Sequence, residues 1–138
     1  MSAGLLLITH GDIGKSVYET AVAVIGSSPL RTEIISVEFN QGPDQIVQQL
    51  HDVIKQLDTG DGVLILTDMY GATPSNVACR ISDMNISIVA GLNLPMLIRV
   101  MNYPTLSLAE LVEKAISGGQ EGIIYCRLAR EKHVAQGS

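Results

Sequence analysis

The chain has 138 residues, of which 46% are hydrophobic and 17% charged, and its formal net charge is −5. This length suits one domain, and the balance excludes a disordered polymer. The acidic sign argues against a general nucleic-acid binder, which carries a basic stripe. With no Trp and a single Phe, the core must be built from aliphatic side chains.

Gly4–Thr9 (GLLLIT) reads as a strand buried on both faces. It carries no basic n-region and is too short for a signal h-region. Nowhere does the chain reach the ~18–20 apolar residues of a membrane helix, so a cytoplasmic protein without membrane insertion is expected. A helix follows over Ile13–Ile25, with Val17, Ala21, Val24 and Ile25 inward, and Gly26-Ser27-Ser28-Pro29 stops it. Glu33–Phe39 (EIISVEF) is a second strand, and Asn40-Gln41-Gly42-Pro43 a turn.

Ile46, Val47, Leu50, Val53, Ile54 and Leu57 repeat at helical spacing, and Gly60-Asp61-Gly62 ends that helix. Val63–Thr67 (VLILT) is a fully apolar third strand. A short helix is expected from Pro74 to about Ser82, a strand over Ile86–Ala90 and a helix over Leu94–Met101. Ser107 and Glu110 form a capping box. The helix it opens turns Leu108, Leu111, Val112, Ala115 and Ile116 inward and closes at Gly118-Gly119. Gly122–Arg127 (GIIYCR) reads as a last strand. Residues 1–129 then form one domain and 130–138 a polar tail.

Strands alternating with helices, with the strands apolar, predict an α/β fold. It is doubly wound, with a mostly parallel sheet and helices on both faces. Ligand chemistry in such sheets gathers at the carboxyl ends of the strands. The first strand ends in Thr9-His10-Gly11-Asp12, the third in Thr67-Asp68-Met69-Tyr70-Gly71-Ala72-Thr73-Pro74. First and third strands are normally neighbours in a doubly wound sheet, which sets His10 beside Asp68. A carboxylate on one ring nitrogen would fix the tautomer of His10 and free the other nitrogen to attack.

A transferred phosphoryl group would then need donors for its oxygens. Gly11 and Gly71 let backbone N–H groups approach closely. Thr73-Pro74 reads as an N-cap followed by Pro at the first helical position. That brings a helix N-terminus and the Thr73 hydroxyl toward His10. Thr9, Gly11, Gly71 and Thr73 are accordingly the expected phosphate-binding residues, with His10 and Asp68 catalytic.

The remaining reactive residues have plainer readings. His51 lies at the polar edge of its helix beside Gln48, Asp52 and Lys55, and His133 lies in the tail. Cys79 and Cys126 read as reduced, mostly buried thiols, and the His and Cys residues show no metal-ligand spacing. Gly14-Lys15-Ser16 mimics the end of a nucleotide-binding P-loop. The pattern requires a Gly five positions before Gly14, where this chain has Thr9, so these residues read as the first turn of a helix.

From about Leu5 to Ile124 the chain resembles the IIA component of the mannose family of the bacterial sugar phosphotransferase system. The resemblance rests on ITHG at Ile8–Gly11, GVLILTDMYGATPSN at Gly62–Asn76 and IVAGLNLPML at Ile88–Leu97. It departs from the family at Met69-Tyr70-Gly71, where an aromatic Trp-Gly is common. The resemblance implies a phosphotransferase component phosphorylated on His10, with Asp68 orienting the ring and the Thr73 hydroxyl near the phosphate. It implies phospho-HPr as donor, a separate EIIB component as acceptor, and no metal or other cofactor. It further implies a homodimer, with Gly122–Arg127 as a C-terminal antiparallel edge strand packed across the subunit boundary. Two alternatives stay open. One is a stand-alone regulatory protein switched by His10 phosphorylation, and the other a phosphoryl-donor subunit of a dihydroxyacetone kinase.

Overall fold

A computed structural model describes residues 2–81 and 84–127. Nine elements follow one another in these residues. They are β1 (Gly4–His10), α1 (Ile13–Ile25), β2 (Thr32–Val37), α2 (Pro43–Leu57), β3 (Val63–Thr67), α3 (Thr73–Cys79), β4 (Ile86–Ala90), α4 (Leu94–Met101) and α5 (Leu108–Glu121).

The strands form one parallel sheet in the order β2-β1-β3-β4. Leu5, Leu6, Leu7 and Ile8 of β1 and Leu64, Ile65 and Leu66 of β3 are completely buried, as strands covered by helices on both faces should be. Period-two alternation sends Leu5, Leu7, Leu64 and Leu66 into one core with α1, α4 and α5. Leu6, Ile8, Val63 and Ile65 enter a second core with α2 and α3.

Several helix ends follow from local chemistry. Gly26 closes α1 in the left-handed conformation at φ 89°, its N–H bonded to the Val22 carbonyl. Ser107 and Glu110 complete the expected capping box at the start of α5. Asn93 caps α4, its side chain accepting from the Met96 N–H.

The C-terminal edge strand expected at Gly122–Arg127 is not formed. The α5 helix passes through Gly118-Gly119 to Glu121. Gly122 remains at helical angles, with its N–H bonded to the Gly118 carbonyl. Ile123, Ile124 and Tyr125 then extend into solvent, and a strand without a ladder partner has nothing to satisfy its backbone. Gly118 and Gly119 serve packing instead of termination. A Cβ on Gly118 would lie 2.5 Å from Arg99 Cβ, so its absence lets α5 close on α4.

Smaller differences have similar causes. The β2 strand stops at Val37, and Phe39 belongs to the following turn. Val24 and Ile116 point outward, and Val22 packs on the core in place of Val24. Cys79 and Cys126 are free but exposed. Residues 130–138, including His133, lie outside the described residues. Among the described residues, no helix is long and apolar enough to cross a membrane.

Candidate functional site

The β1–β3 pairing places Ile8 opposite Thr67, the last residue of β3, so β1 runs two residues further and Thr9 and His10 lie on the rim where Asp68 emerges. His10 is the last residue of β1, paired on its other side with Val37 of β2. It shares the parity of Leu6 and Ile8 and therefore faces the α2–α3 side of the sheet. Asp68 follows Thr67 directly.

The two side chains meet. Oδ2 of Asp68 accepts a hydrogen bond from His10 Nδ1 at 2.8 Å and another from the His10 backbone N–H at 3.1 Å. Oδ1 accepts from the Met69 N–H at 3.1 Å. A carboxylate only accepts, so Nδ1 carries the ring proton and Nε2 keeps its lone pair in the neutral imidazole. Burial pushes the Asp68 carboxyl pKa up. The hydrogen bonds from the His10 ring and amide, the charge of the ring when it is protonated and a backbone hydrogen bond at Asp68 outweigh burial and hold it below the ordinary carboxylate value. The side chains are 25% exposed for His10 and 12% for Asp68, leaving the ring open toward solvent.

The expected phosphate-binding residues separate. Thr9 is completely buried. Its hydroxyl accepts the Gly14 N–H at 2.8 Å and donates to the His10 carbonyl at 3.3 Å. It pins the start of α1 to the end of β1 and offers nothing to a ligand. Gly14 is needed for that approach, since a Cβ there would lie 3.0 Å from Thr9 Oγ1. Gly14, Lys15 and Ser16 form the first turn of α1.

Gly11 turns the chain at φ +44°, and its N–H donates to the Val37 carbonyl at 3.0 Å. Gly71, at φ +83°, donates its N–H to Ser75 Oγ at 2.9 Å. Both amides are thus committed within the chain. Thr73 is the first residue of α3, with Ala72 in the cap position, so it is not the expected N-cap. Its side chain is exposed, and its hydroxyl makes no hydrogen bond among the described residues.

Two participants were not legible in the sequence. Ser75 ties the preceding loop to the first turn of α3, accepting from the Gly71 N–H at 2.9 Å and donating to the Ala72 carbonyl at 3.0 Å. A hydroxyl in the first turn of a helix that follows a Gly was the available signal. Phe39 lies against the His10 ring, with centroids 6.0 Å apart and planes inclined by 29°. Its parity with Ile35 and Val37 pointed there, but only once β2 was known to flank β1. Ile13, Phe39, Met69 and Tyr70, in or next to the loops that follow β1, β2 and β3, are all exposed.

In sequence and fold the chain is similar to known proteins. The family model of EIIA-man, the PTS system fructose IIA component, matches residues 4–116. The mannose-specific EIIAB component of the PTS system of Escherichia coli (strain K12) is 29% identical over 129 residues, covering 89% of this chain and 39% of that protein. This chain thus spans about two-fifths of the length of the EIIAB proteins it matches. The fructose-specific EIIA component of Bacillus subtilis (strain 168) is 26% identical over 133 residues, 93% of this chain and 89% of that one. Among solved structures, the mannose/sorbose specific IIA subunit from Enterococcus faecalis aligns with a TM-score of 0.81 at 26% identity, covering 91% of this chain and 95% of that one. With a family model matched over most of its length, the chain belongs to the EIIA-man family of sugar phosphotransferase system IIA components.

Proposed function

We propose that this protein is a phosphocarrier: Nε2 of His10 takes a phosphoryl group from phospho-HPr in the cytoplasm and passes it to a separate EIIB component. The observation that carries this reading is the double hydrogen bond from His10 to Asp68 Oδ2. One oxygen holds both the ring and the backbone beneath it, so Nε2 has a fixed direction and Nδ1 keeps its proton.

In the first transfer the Nε2 lone pair attacks phosphorus while the donor's N–P bond breaks and its electron pair returns to the donor imidazole. The Nδ1 proton stays between His10 and Asp68. The positive charge that develops on the ring is balanced by a carboxylate already ionised. The second transfer reverses these steps toward the acceptor. Charge on the equatorial phosphoryl oxygens needs donors, and the unengaged Thr73 hydroxyl is assigned that role. Gly11 and Gly71 shape the two loops instead of donating. The exposed Ile13, Met69 and Tyr70 suit contact with a protein partner more than closure over a small metabolite.

We also assign a homodimeric state. The β4 edge of the sheet is open, its Ile86 and Ile88 are only half-buried, and Ile123, Ile124 and Tyr125 are exposed just after α5. Sedimentation of the wild type at twice the monomer mass, and of Ile124→Asp at the monomer mass, is the expected result.

The test of the main reading is incubation with phosphoenolpyruvate, the first enzyme of the system and HPr, followed by a chase with an EIIB protein. Acid-labile, base-stable phosphate that vanishes in His10→Ala and moves to EIIB is expected. Absence of label, or label that survives His10→Ala, refutes the proposal.

A further inference from the structure

The Phe39 side chain is the only phenyl in the molecule and is 92% exposed. Exposure of one apolar residue has little meaning alone. The informative facts are its neighbour and its mounting. The neighbour is the His10 ring, at a separation and tilt within the range of offset aromatic pairs. The mounting is a turn closed from both sides. The Glu38 N–H donates to Gln41 Oε1 at 2.8 Å, and the Gln41 N–H donates to the Glu38 carbonyl at 3.2 Å. That turn starts one residue after Val37, which is paired with His10 and accepts the Gly11 N–H.

We infer that Phe39 is a positioning residue for His10, resting beside one face of the imidazole and stabilising the positive charge that the ring carries when phosphorylated. The inference rests on His10 as the phosphoryl acceptor. Asp68 holds the ring at its Nδ1 edge, and a hydrogen bond in the ring plane leaves rotation about the bond direction soft. A phenyl against one face restricts that rotation, so the two contacts together define both the direction and the plane of Nε2. The face of an aromatic ring also attracts a cation at this range. In the Nε2-phosphorylated, Nδ1-protonated group the imidazole ring itself carries positive charge, although the phosphoryl oxygens beyond it are negative, whereas the neutral ring carries none. Stacking therefore strengthens as the transfer proceeds. Spontaneous loss of the phosphoryl group requires water to attack phosphorus as the N–P bond breaks and its electron pair returns to Nε2. That return neutralises the ring and forfeits its attraction to the phenyl, so the contact opposes the loss.

Two measurements separate this inference from the function beneath it. In the unphosphorylated protein, the carbon-bound ring protons of His10 feel the phenyl ring current. Their NMR signals move in Phe39→Leu and return in Phe39→Tyr. Unchanged signals in Phe39→Leu overturn the stack, whatever the protein's function. In phosphorylated protein without acceptor, Phe39→Ala loses phosphate about two- to fivefold faster than wild type, the size of an exposed cation–aromatic contact. Phe39→Tyr restores the lifetime.

Phe39→Trp adds the sole tryptophan of the chain, and its emission changes on phosphorylation. A lifetime unchanged in Phe39→Ala, with only the half-saturating donor concentration raised, would make Phe39 a docking contact and overturn the positioning role. A wild type that is never phosphorylated, but whose His10 signals respond to Phe39→Leu, strikes at the phosphocarrier reading and at the charge stabilisation that depends on it, while the stack stands.

Discussion

One carboxylate oxygen, Oδ2 of Asp68, accepts both the backbone N–H and the ring Nδ1 of His10, at 3.1 and 2.8 Å. The two donors are separated by a flexible side chain, yet they converge on one atom. The ring is therefore referenced to the backbone of the strand that carries it.

Removing that reference should slow phosphorylation without unfolding the protein. Hydrogen bonds to charged groups contribute about 1.5–3 kcal/mol each. If the interaction is fully engaged in the transition state, Asp68→Ala lowers the single-turnover rate from phospho-HPr by about ten- to a hundredfold. Rapid-quench measurement checks the rate and circular dichroism the fold. A rate within a factor of two of wild type would mean that the ring orients itself without the carboxylate.

The same pair predicts an acid-side stability dependence. The Asp68 carboxyl is held below the ordinary value, so folding favours its charged form. The stabilisation is complete above the unfolded-state pKa of about 4 and is lost as pH falls through the lower folded value. Urea midpoints of wild type and Asp68→Asn should differ at pH 6 and draw together as pH falls from about 4 through the lower folded value. A gap that stays constant down to pH 2.5 would assign the difference to packing.

Thr9→Val tests the buried hydroxyl. The substitution keeps the shape but leaves the Gly14 N–H without its acceptor at the start of α1. A buried unsatisfied donor costs about 1–3 kcal/mol, so the urea midpoint should fall while His10 is still phosphorylated. Full stability with abolished phosphorylation would instead restore Thr9 as a ligand to the phosphoryl group.

Gly118→Ala should destabilise although Ala is the better helix former. Its Cβ would lie 2.5 Å from Arg99 Cβ and 2.8 Å from Arg99 Cγ, forcing α4 and α5 apart. Overpacking of this kind costs about 1–3 kcal/mol. Thermal unfolding of the variant checks it, and a raised midpoint would show that the helices separate freely.

The expected bounds of β3, β4, α1 and α4 coincide with those observed, because each run ends at chemistry with a local meaning. Gly26, Gly91 and the Asn93 cap are examples. The His10–Asp68 pairing was legible too, since it needed only the adjacency of two parallel strands.

The misreadings share one cause, that the deciding partner is distant in sequence. Gly118-Gly119 reads as a helix stop unless α4 is known to press on it. Thr9 reads as a ligand unless α1 is known to return to it. The Ile123-Ile124-Tyr125 run reads as a strand, but an apolar pattern supplies no ladder partner. Phe39 was counted into β2, and only the finished sheet shows it reaching His10.

The burial of β1 has a practical consequence for redesign. His10 is mounted on a strand whose Leu5–Ile8 segment is wholly enclosed, whereas Glu38–Asn40 and Met69–Gly71 lie on the outer surface. Their outward side chains can be varied with the imidazole still seated on its strand, provided the Asp68 bonds to His10 and to the Met69 N–H are kept. On the proposed phosphocarrier reading, part of the partner-facing surface is thus carried by two short loops on which the buried strand does not depend.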